Sequence, residues 1–443
     1  VPALILDPAA RERLAASPRR AAFFCGAAAS LARELETRHA RLIVRRGPLA
    51  ATVKRLARET DAGAVFWAAS YDAAGVQRDR SLQSALEEAG FEARALHDAP
   101  AVAPEDTADA RRTDAGAGYR SFASYLPMWR RVERPVYDRR LLFADPGVAG
   151  EGLPVCEEFD STLPAQDAGE RQALARFEQF LAEPILRYAA GRFAPAADGT
   201  SRLSADLSFG TIAARTIVRR VEERAADRFL LEEERQSIAL FLRSIARRDF
   251  FFQLAWFFEE RADEALQRRM RDFPFARAHR LLDAWREGRT GFPLVDAGMR
   301  ELRATGWMHP HARMVAASFL CFDLGVDWRV GRDLWDRELV EDDPAIAGGN
   351  WQWIAGVGAD LAQYPRIYNP IAQARRFDPL GVYARRWIPD LPASPPVRDG
   401  GRQTVLPLFG EQTYPAPVLD HASAARAFLE RYAAFAGAGS KRP

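Results

Sequence analysis

Gly349-Asn350-Trp351-Gln352-Trp353, taken with Gly306-Trp307-Met308-His309 earlier in the chain, is the stretch on which the fold reading turns. Trp307, Trp328, Trp351 and Trp353 fall in one helical region, with Arg313, Glu341 and Asp343 between them. Indoles gathered with an arginine and two acids suit a site for a flat, anionic, redox-active ring. The same residues equally describe a tryptophan-rich helical core, because aromatics fill cores well. On pattern alone both readings stay open.

Composition narrows the class. The chain has 443 residues, enough for two or three domains, with 48% hydrophobic and 28% charged residues as in ordinary globular proteins. The formal net charge is only +2, so no global basic signal points to nucleic acid, although a local patch is compatible with it. Lys54 and Lys441 are the only lysines, and arginine carries the rest of the positive charge. Cys25, Cys156 and Cys321 lie far apart and make no metal spacing, so no metal is expected and a cytoplasmic, reducing location is. No apolar run is long enough to span a membrane. Val1-Pro2-Ala3-Leu4 is not a signal peptide; it lacks an initiator Met, and the first strand of the domain it opens is expected to lie outside this sequence.

Short apolar runs alternate with amphipathic stretches up to residue 100. Strands are expected over Ala3–Leu6, Arg41–Val44, Ala62–Ala68 and Phe91–Leu96, and helices over Arg19–Thr37, Pro48–Glu59 and Val76–Ala89. That alternation predicts a Rossmann-like parallel α/β domain, one sheet with helices on both faces. Residues 101–170 are rich in Pro, Ala, Asp and Gly without clear periodicity and read as a long interdomain linker. From Glu170 the pattern is helical, with stripes at Leu174, Phe177, Phe180 and Leu181 and at Ile238, Phe241, Leu242 and Ile245. Pro310 suits a helix start, and Ala422–Ala438 a last helix. The fold class is α/β plus all-α: domain 1–100, linker 101–170, helical domain 171–443.

Asp198-Gly199-Thr200-Ser201-Arg202-Leu203-Ser204 is the phosphate candidate. Glycine lets the chain turn, and hydroxyls with free N–H groups then meet a helix start, where the dipole favours an anion. Thr-Ser before a helix is also an ordinary cap.

Thr200 to Ser204, preceded by Tyr188, resembles the flavin-phosphate segment of the DNA photolyase and cryptochrome family. Gly291 to Arg300, Gly306 to His309, Asp343 to Trp353, Arg366 to Pro370 and Phe377-Asp378 resemble the same family in the same order. The likeness is dense in the helical half and loose in the first domain, where Arg78-Asp79, Tyr119, Phe122, Tyr125 and Trp129 carry it. It implies FAD bound in the helical domain. Tyr188, Thr200, Ser201, Arg202, Leu203 and Ser204 would hold the pyrophosphate and ribityl side; Arg248, Arg313, Glu341 and Asp343 would surround the isoalloxazine, ribityl and adenine region. Arg313 and Glu341 would pair beside the ring, where a positive neighbour suits an anionic reduced flavin. A second, antenna chromophore is allowed, its identity open.

Departures from the family pattern cluster at functional positions. The residue facing flavin N5, commonly Asn in photolyases, is Ala347, and the family's Trp-Met-His-Asn-Arg reads Trp307-Met308-His309-Pro310-His311. Positions that contact the damaged pyrimidine pair read Ser244 and Arg247, leaving Met314 and Trp353 of the usual set. Of three tryptophans that relay electrons in many members, Trp351 and Trp328 match and the outermost is Phe275. The Asn-Glu pair that anchors a folate antenna reads Ala74-Gly75. The expected activity is light-driven electron transfer to pyrimidine dimers in damaged DNA, with single strands favoured. Trp351, Trp328 and Trp353 would be catalytic, and Ser244, Arg247, Pro310, His311, Met314 and Trp353 would line the lesion pocket. The alternative is a non-repairing blue-light photoreceptor. A (6-4) repair enzyme fits less well, because its histidine pair would fall at Pro310 and Met314, and three cysteines cannot supply the four ligands of an iron–sulfur subtype. A monomer is expected, and no protein partner is identified.

Overall fold

Asp7 and Ser17 organise the beginning of the chain. Asp7 accepts from the Ala10 N–H and starts one helix; Ser17, followed by Pro18 in the first turn, starts the next. These features belong to a computed structural model that describes residues 1–108, 118–134, 143, 147–258, 263–277, 279–359, 365–391 and 414–439. The strands are β1 Ala3–Leu6, β2 Ile43–Arg46, β3 Ala64–Ala68 and β4 Glu92–Leu96. The helices of the first half are α1 Pro8–Ala15, α2 Pro18–Glu36, α3 Leu49–Glu59, α4 Ala73–Glu87, α5 Phe122–Arg131, α6 Glu170–Ala182, α7 Tyr188–Gly191, α8 Ser204–Phe209 and α9 Ala214–Ala225. Those of the second half are α10 Glu232–Phe257, α11 Leu282–Glu287, α12 Pro293–Thr305, α13 Pro310–Ser318, α14 Trp328–Glu338, α15 Pro344–Ile354, α16 Pro370–Phe377, α17 Val382–Trp387 and α18 His421–Gly439. No helix among the described residues is long and apolar enough to cross a membrane.

Two units emerge, each assembled from separated stretches: Val1–Glu183, Ser201–Ala262 and Leu339–Ile346 form the first, and Pro184–Thr200, Asp263–Glu338 and Ala347–Pro443 the second. Both units draw on residues beyond 170, where the sequence placed the start of the helical domain.

The first unit holds the strands. They are parallel, as the βαβ alternation requires, but they pair as β1 with β2 and β3 with β4, in two ladders rather than one sheet. Helix α3 contacts both β1 and α4, so packing links the two ladders where hydrogen bonds do not. β2 begins two residues later than expected, because Ile43 and Val44, both fully buried, pair with Ala3 and Leu4. Helix α1 was not foreseen; its short polar sequence has little apolar periodicity. Gly26 allows the close approach of α2 to the Gln166 backbone, since a Cβ there would lie 1.8 Å from the Gln166 carbonyl oxygen. Gln166 N–H in turn donates to Ala22 O at 2.9 Å.

The segment read as a linker is substantially packed. Phe122, Tyr125 and Trp129 form one buried stripe of α5 against α10, and Cys156 and Phe159 join the core under α2. Pro127 inside α5 hid the helical period. Burial, together with its neighbour Cys156, pushes the Cys25 thiol up to about 12.

Asp249 of α10 ties this unit together. Its carboxylate is buried and accepts from Ala101 N–H at 2.9 Å, Val102 N–H at 3.1 Å and Trp129 Nε1 at 2.8 Å. Arg248 lies 3.8 Å away, and donates to Ala99 O at 2.6 Å and Leu207 O at 3.1 Å. Burial pushes the Asp249 carboxyl up to about 6, with the Arg248 charge opposing. Next on the same helix face, Gln253 clasps the Tyr119 backbone through both its amide atoms, at 2.8 and 2.7 Å.

In the second unit, α12, α13, α16 and α17 pack together, and α18 packs on the π-helical turn Phe319–Asp323. Phe273, Phe275, Phe428, Tyr432 and Phe435 form one aromatic cluster, so Phe275 serves the docking of α18.

Removing the Asp249 carboxylate strands three donors, all in segments far from α10 in sequence. Asp249→Ala should therefore destabilise the protein by about 3 kcal/mol or more, and Asp249→Asn, which keeps one acceptor oxygen, by less. Denaturant unfolding midpoints of the purified variants check this; a loss under about 1 kcal/mol for the alanine would contradict it.

Candidate functional site

In the first unit the phosphate candidate ends in α8. Arg202 has a left-handed backbone (φ 53°), uncommon for a residue with a side chain, and turns the chain into the helix. The first N–H groups of a helix have no partner inside it, so α8 presents donors at Ser204. Leu203 is buried, and the Ser204 hydroxyl is buried without a partner among the described residues. One turn on, Ser208 Oγ accepts from Asp342 N–H at 2.8 Å. That bond brings the acidic run Glu341-Asp342-Asp343 beside α8. Asp342 also bonds Arg13, whose Nε lies 3.1 Å from Oδ2, and Arg20 Nη2 donates to Glu341 O at 3.4 Å. Burial pushes the Asp343 carboxyl up to about 6; Arg248 opposes this, Asp342 and Glu341 add to it, and a Ser208 hydrogen bond lowers it. Ser201 to Ser204, Arg248, Glu341 and Asp343 therefore belong to one unit, with Arg248 and Asp343 close enough to interact.

Ser244 and Arg247 lie on α10 in that unit. Ser244 Oγ donates back to Leu240 O at 3.1 Å, and the Arg247 guanidinium sits 4.0 Å above the Phe122 ring. One face of Arg247 is thus already covered by an aromatic.

The second unit contains the remaining positions. Gly191 and Gly199 meet backbone to backbone: a Cβ on Gly199 would fall 2.6 Å from the Gly191 Cα. This contact holds the turn leading to Thr200 against α7, where Tyr188 carries the Arg192 guanidinium at 5.9 Å. Pro310 is exposed in the first turn of α13. Arg313 Nε donates to Met308 O at 2.8 Å. Ala347 and Trp353 are half-buried on α15. Arg366 lies 5.9 Å from the Trp353 ring, and the Tyr368 hydroxyl approaches the Met314 sulfur at 3.9 Å while Tyr368 N–H donates to Ser318 Oγ at 3.0 Å. His311 is only 1% exposed and stands edge-on to Phe377 at 4.4 Å and Phe193 at 5.5 Å. It belongs to an aromatic core, and desolvation holds its pKa down at about 4, so the ring is neutral at physiological pH.

The tryptophans divide. Trp351 makes ring contact with Trp335 at 4.6 Å, and Trp335 stacks on Trp285 at 6.1 Å with an 11° interplanar angle. Trp328 makes no indole contact among the described residues; Arg329 and Arg332 lie 5.0 and 5.3 Å from its ring. Trp335, Tyr368, Ser208 and Asp249 were not among the expected site residues. For Trp335 a signal existed: with Gly331 it makes an i, i+4 pair on the face of α14 that meets Trp351.

Residues 241–434 match a family model described as the FAD binding domain of DNA photolyase, and residues 1–140 match one described as DNA photolyase. The chain is 35% identical over 390 residues to the deoxyribodipyrimidine photo-lyase of Halobacterium salinarum, covering 85% of this chain and 79% of that protein. The solved class III photolyase of Agrobacterium tumefaciens superposes with a TM-score of 0.83 at 28% identity, covering 99% of this chain and 92% of the other. The archaeal photolyase of Sulfolobus tokodaii, described with two FAD molecules and the implication of a novel light-harvesting cofactor, superposes with a TM-score of 0.78 at 26% identity, over 98% and 93% of the two chains.

The residues present fit FAD. The unpartnered Ser204 hydroxyl and the α8 start suit a phosphate, and an acidic run facing a buried arginine suits ribose hydroxyls and adenine.

His311 provides a test of the packing within the second unit. Its folded pKa, about 4, lies below its ordinary 6.5, so between those values the unfolded chain takes a proton that the folded chain refuses. Its contribution to stability is therefore intact above pH 6.5 and lost as pH falls towards 4. Asp249 and Asp343, raised to about 6 from 3.8, act with the opposite sign between those values. Comparing parent with His311→Phe isolates the histidine: the variant should lose less melting temperature between pH 6.5 and 4.5. Equal losses would place a charged imidazole there instead.

Proposed function

From the premise that this chain belongs to the DNA photolyase and cryptochrome family, we propose that it binds FAD non-covalently and uses blue light to split pyrimidine dimers in damaged DNA. The observation that carries the reading is the likeness to proteins named deoxyribodipyrimidine photo-lyase along most of the chain, joined to the FAD-binding match over residues 241–434. When bound and reduced, FAD would supply light-driven, reversible one-electron transfer.

The protein's own residues bind, orient and shield. Tyr188, Thr200, Ser201, Arg202, Leu203 and Ser204 hold the pyrophosphate and ribityl side, and Arg248, Arg313, Glu341 and Asp343 the remainder. Ala347 offers a methyl where an amide would hydrogen-bond N5. For the lesion, Trp353 is the flat wall, with Arg366 near its face, and Met314 is fixed by Tyr368. Arg247, resting on Phe122, is the residue that would meet a phosphate. Pro310 is available at the surface, whereas His311 lies in the core against Phe193 and Phe377. Ser244 is too short to reach as a longer acid would. An extruded dimer is cheapest to obtain from a single strand, which favours that substrate.

The division into 1–100, 101–170 and 171–443, action as a monomer in the cytoplasm, and a second antenna chromophore belong to the same proposal. The antenna has a structural parallel in the archaeal photolyase described with two FAD molecules.

The test uses FAD-loaded, reduced protein with dimer-containing single- and double-stranded oligonucleotides, in light and in darkness. Dimers should disappear only in light, faster from single strands, and binding should weaken with salt. Asp343→Ala should weaken FAD retention, because it removes one member of a buried polar network. Retained FAD with no dimer loss, and equal affinity for damaged and undamaged DNA, would overturn repair in favour of the photoreceptor reading.

A further inference from the structure

Trp351, Trp335 and Trp285 form a continuous chain of indoles inside the second unit, and two of them were unforeseen as a pair. Gly331 makes the first contact possible. A Cβ there would meet Trp351 Cη2 at 2.3 Å and Leu320 Cδ2 at 2.4 Å, so only a glycine lets the α14 backbone lie on the indole edge. Trp335, one turn further on, then rests 4.6 Å from Trp351 at 57°, and Trp285 stacks almost parallel beyond it. Trp285 is fully buried and Trp335 only 5% exposed. Trp285 Nε1 donates to Ala316 O at 2.9 Å, which turns the negative end of a carbonyl dipole towards that ring. Trp328 is in a contrary setting, because two guanidinium groups lie over its ring and oppose a further positive charge. Their acids, Asp327 for Arg329 and Asp263 and Asp333 for Arg332, soften this without removing it.

We propose that an electron vacancy created on Trp351 passes to Trp335 and settles on the stacked Trp335–Trp285 pair, not on Trp328. This rests on the flavin reading: photoexcited oxidised flavin is the oxidant that takes one electron from Trp351. One electron then moves from Trp335 to Trp351 and one from Trp285 to Trp335. No bond breaks, and Trp285 keeps its N–H proton, which stays donated to Ala316 O. A thiol reductant finally refills the pair. Because both rings are shielded from solvent, that refilling is slow, and the pair acts as an internal reservoir whose charge returns along the same path.

Two measurements test the route. In flavin-free protein the Trp335–Trp351 and Trp335–Trp285 contacts should give an exciton-coupled circular dichroism band in the far ultraviolet. Trp335→Phe should abolish it, and Trp328→Phe should keep it. In FAD-loaded protein, transient absorption after a blue flash should show an indole cation. Trp335→Phe should shorten its lifetime at least tenfold, Trp285→Phe less, and Trp328→Phe within twofold of the parent, with little dependence on added thiol in the parent. Trp335→Tyr keeps a large ring in place if the Phe variant unfolds. A parent that takes up no FAD overturns the flavin reading and this route with it, whereas an FAD-loaded parent with no indole cation overturns the route alone. A cation lost in Trp328→Phe but unchanged in Trp335→Phe overturns the route alone.

Discussion

A carboxylate with no access to water sets the terms for the first unit. Burying Asp249 is costly unless its oxygens are satisfied, and the chain satisfies them with two backbone N–H groups from the stretch after β4 and the indole N–H of α5. The donors come from segments far away in sequence, so the carboxylate fixes where those segments lie on α10. Arg248 is held in turn by Ala99 and Leu207, which places a guanidinium beside Asp343. The polar side of the candidate cofactor site is thus a consequence of how the core of this unit is neutralised.

The second unit is governed by packing more than by charge. Gly331 removes a side chain so that α14 can lie on Trp351, and the indoles of Trp335 and Trp285 fill the space behind. His311, Phe193 and Phe377 form a second aromatic group, and the Phe273 cluster under α18 a third. Only the first group is a run of easily oxidised rings in sequence of contact. The division of labour is physical: acids, arginine and a helix start in one unit suit a phosphate and sugars, and linked indoles in the other suit electron movement.

Much of the architecture was legible in the sequence because apolar period and capping residues announce it. β1, β3, β4, α2, α3, α13 and α18 lie close to where Pro48, Pro310 and the periodic apolar runs put them. Long-range pairing was not legible: nothing local says that β1–β2 and β3–β4 form separate ladders, or that Phe122, Tyr125 and Trp129 turn a Pro-containing segment into core. For the site, the linked motifs pointed to a flavin, and Ser204, Arg248 and Asp343 sit where a polar cradle is built. Exposure could not be read from wording alone. His311 was expected to line the lesion pocket and is enclosed among aromatic rings, and Arg247, expected at the same pocket, lies on Phe122. Trp328 matched a familiar position, yet its neighbours are guanidinium groups, and the indole that meets Trp351 is Trp335.

The account stands on one claim, that light absorbed by FAD in this chain drives dimer opening. An action spectrum tests it most directly: dimer loss per incident photon, measured across the near-ultraviolet and blue with the reduced, FAD-loaded protein. The account predicts a spectrum that follows the absorption of the bound flavin, extended only where an antenna chromophore absorbs, with no loss in darkness. Dimer loss that proceeds in darkness, or the absence of loss at every wavelength the flavin absorbs, would contradict it.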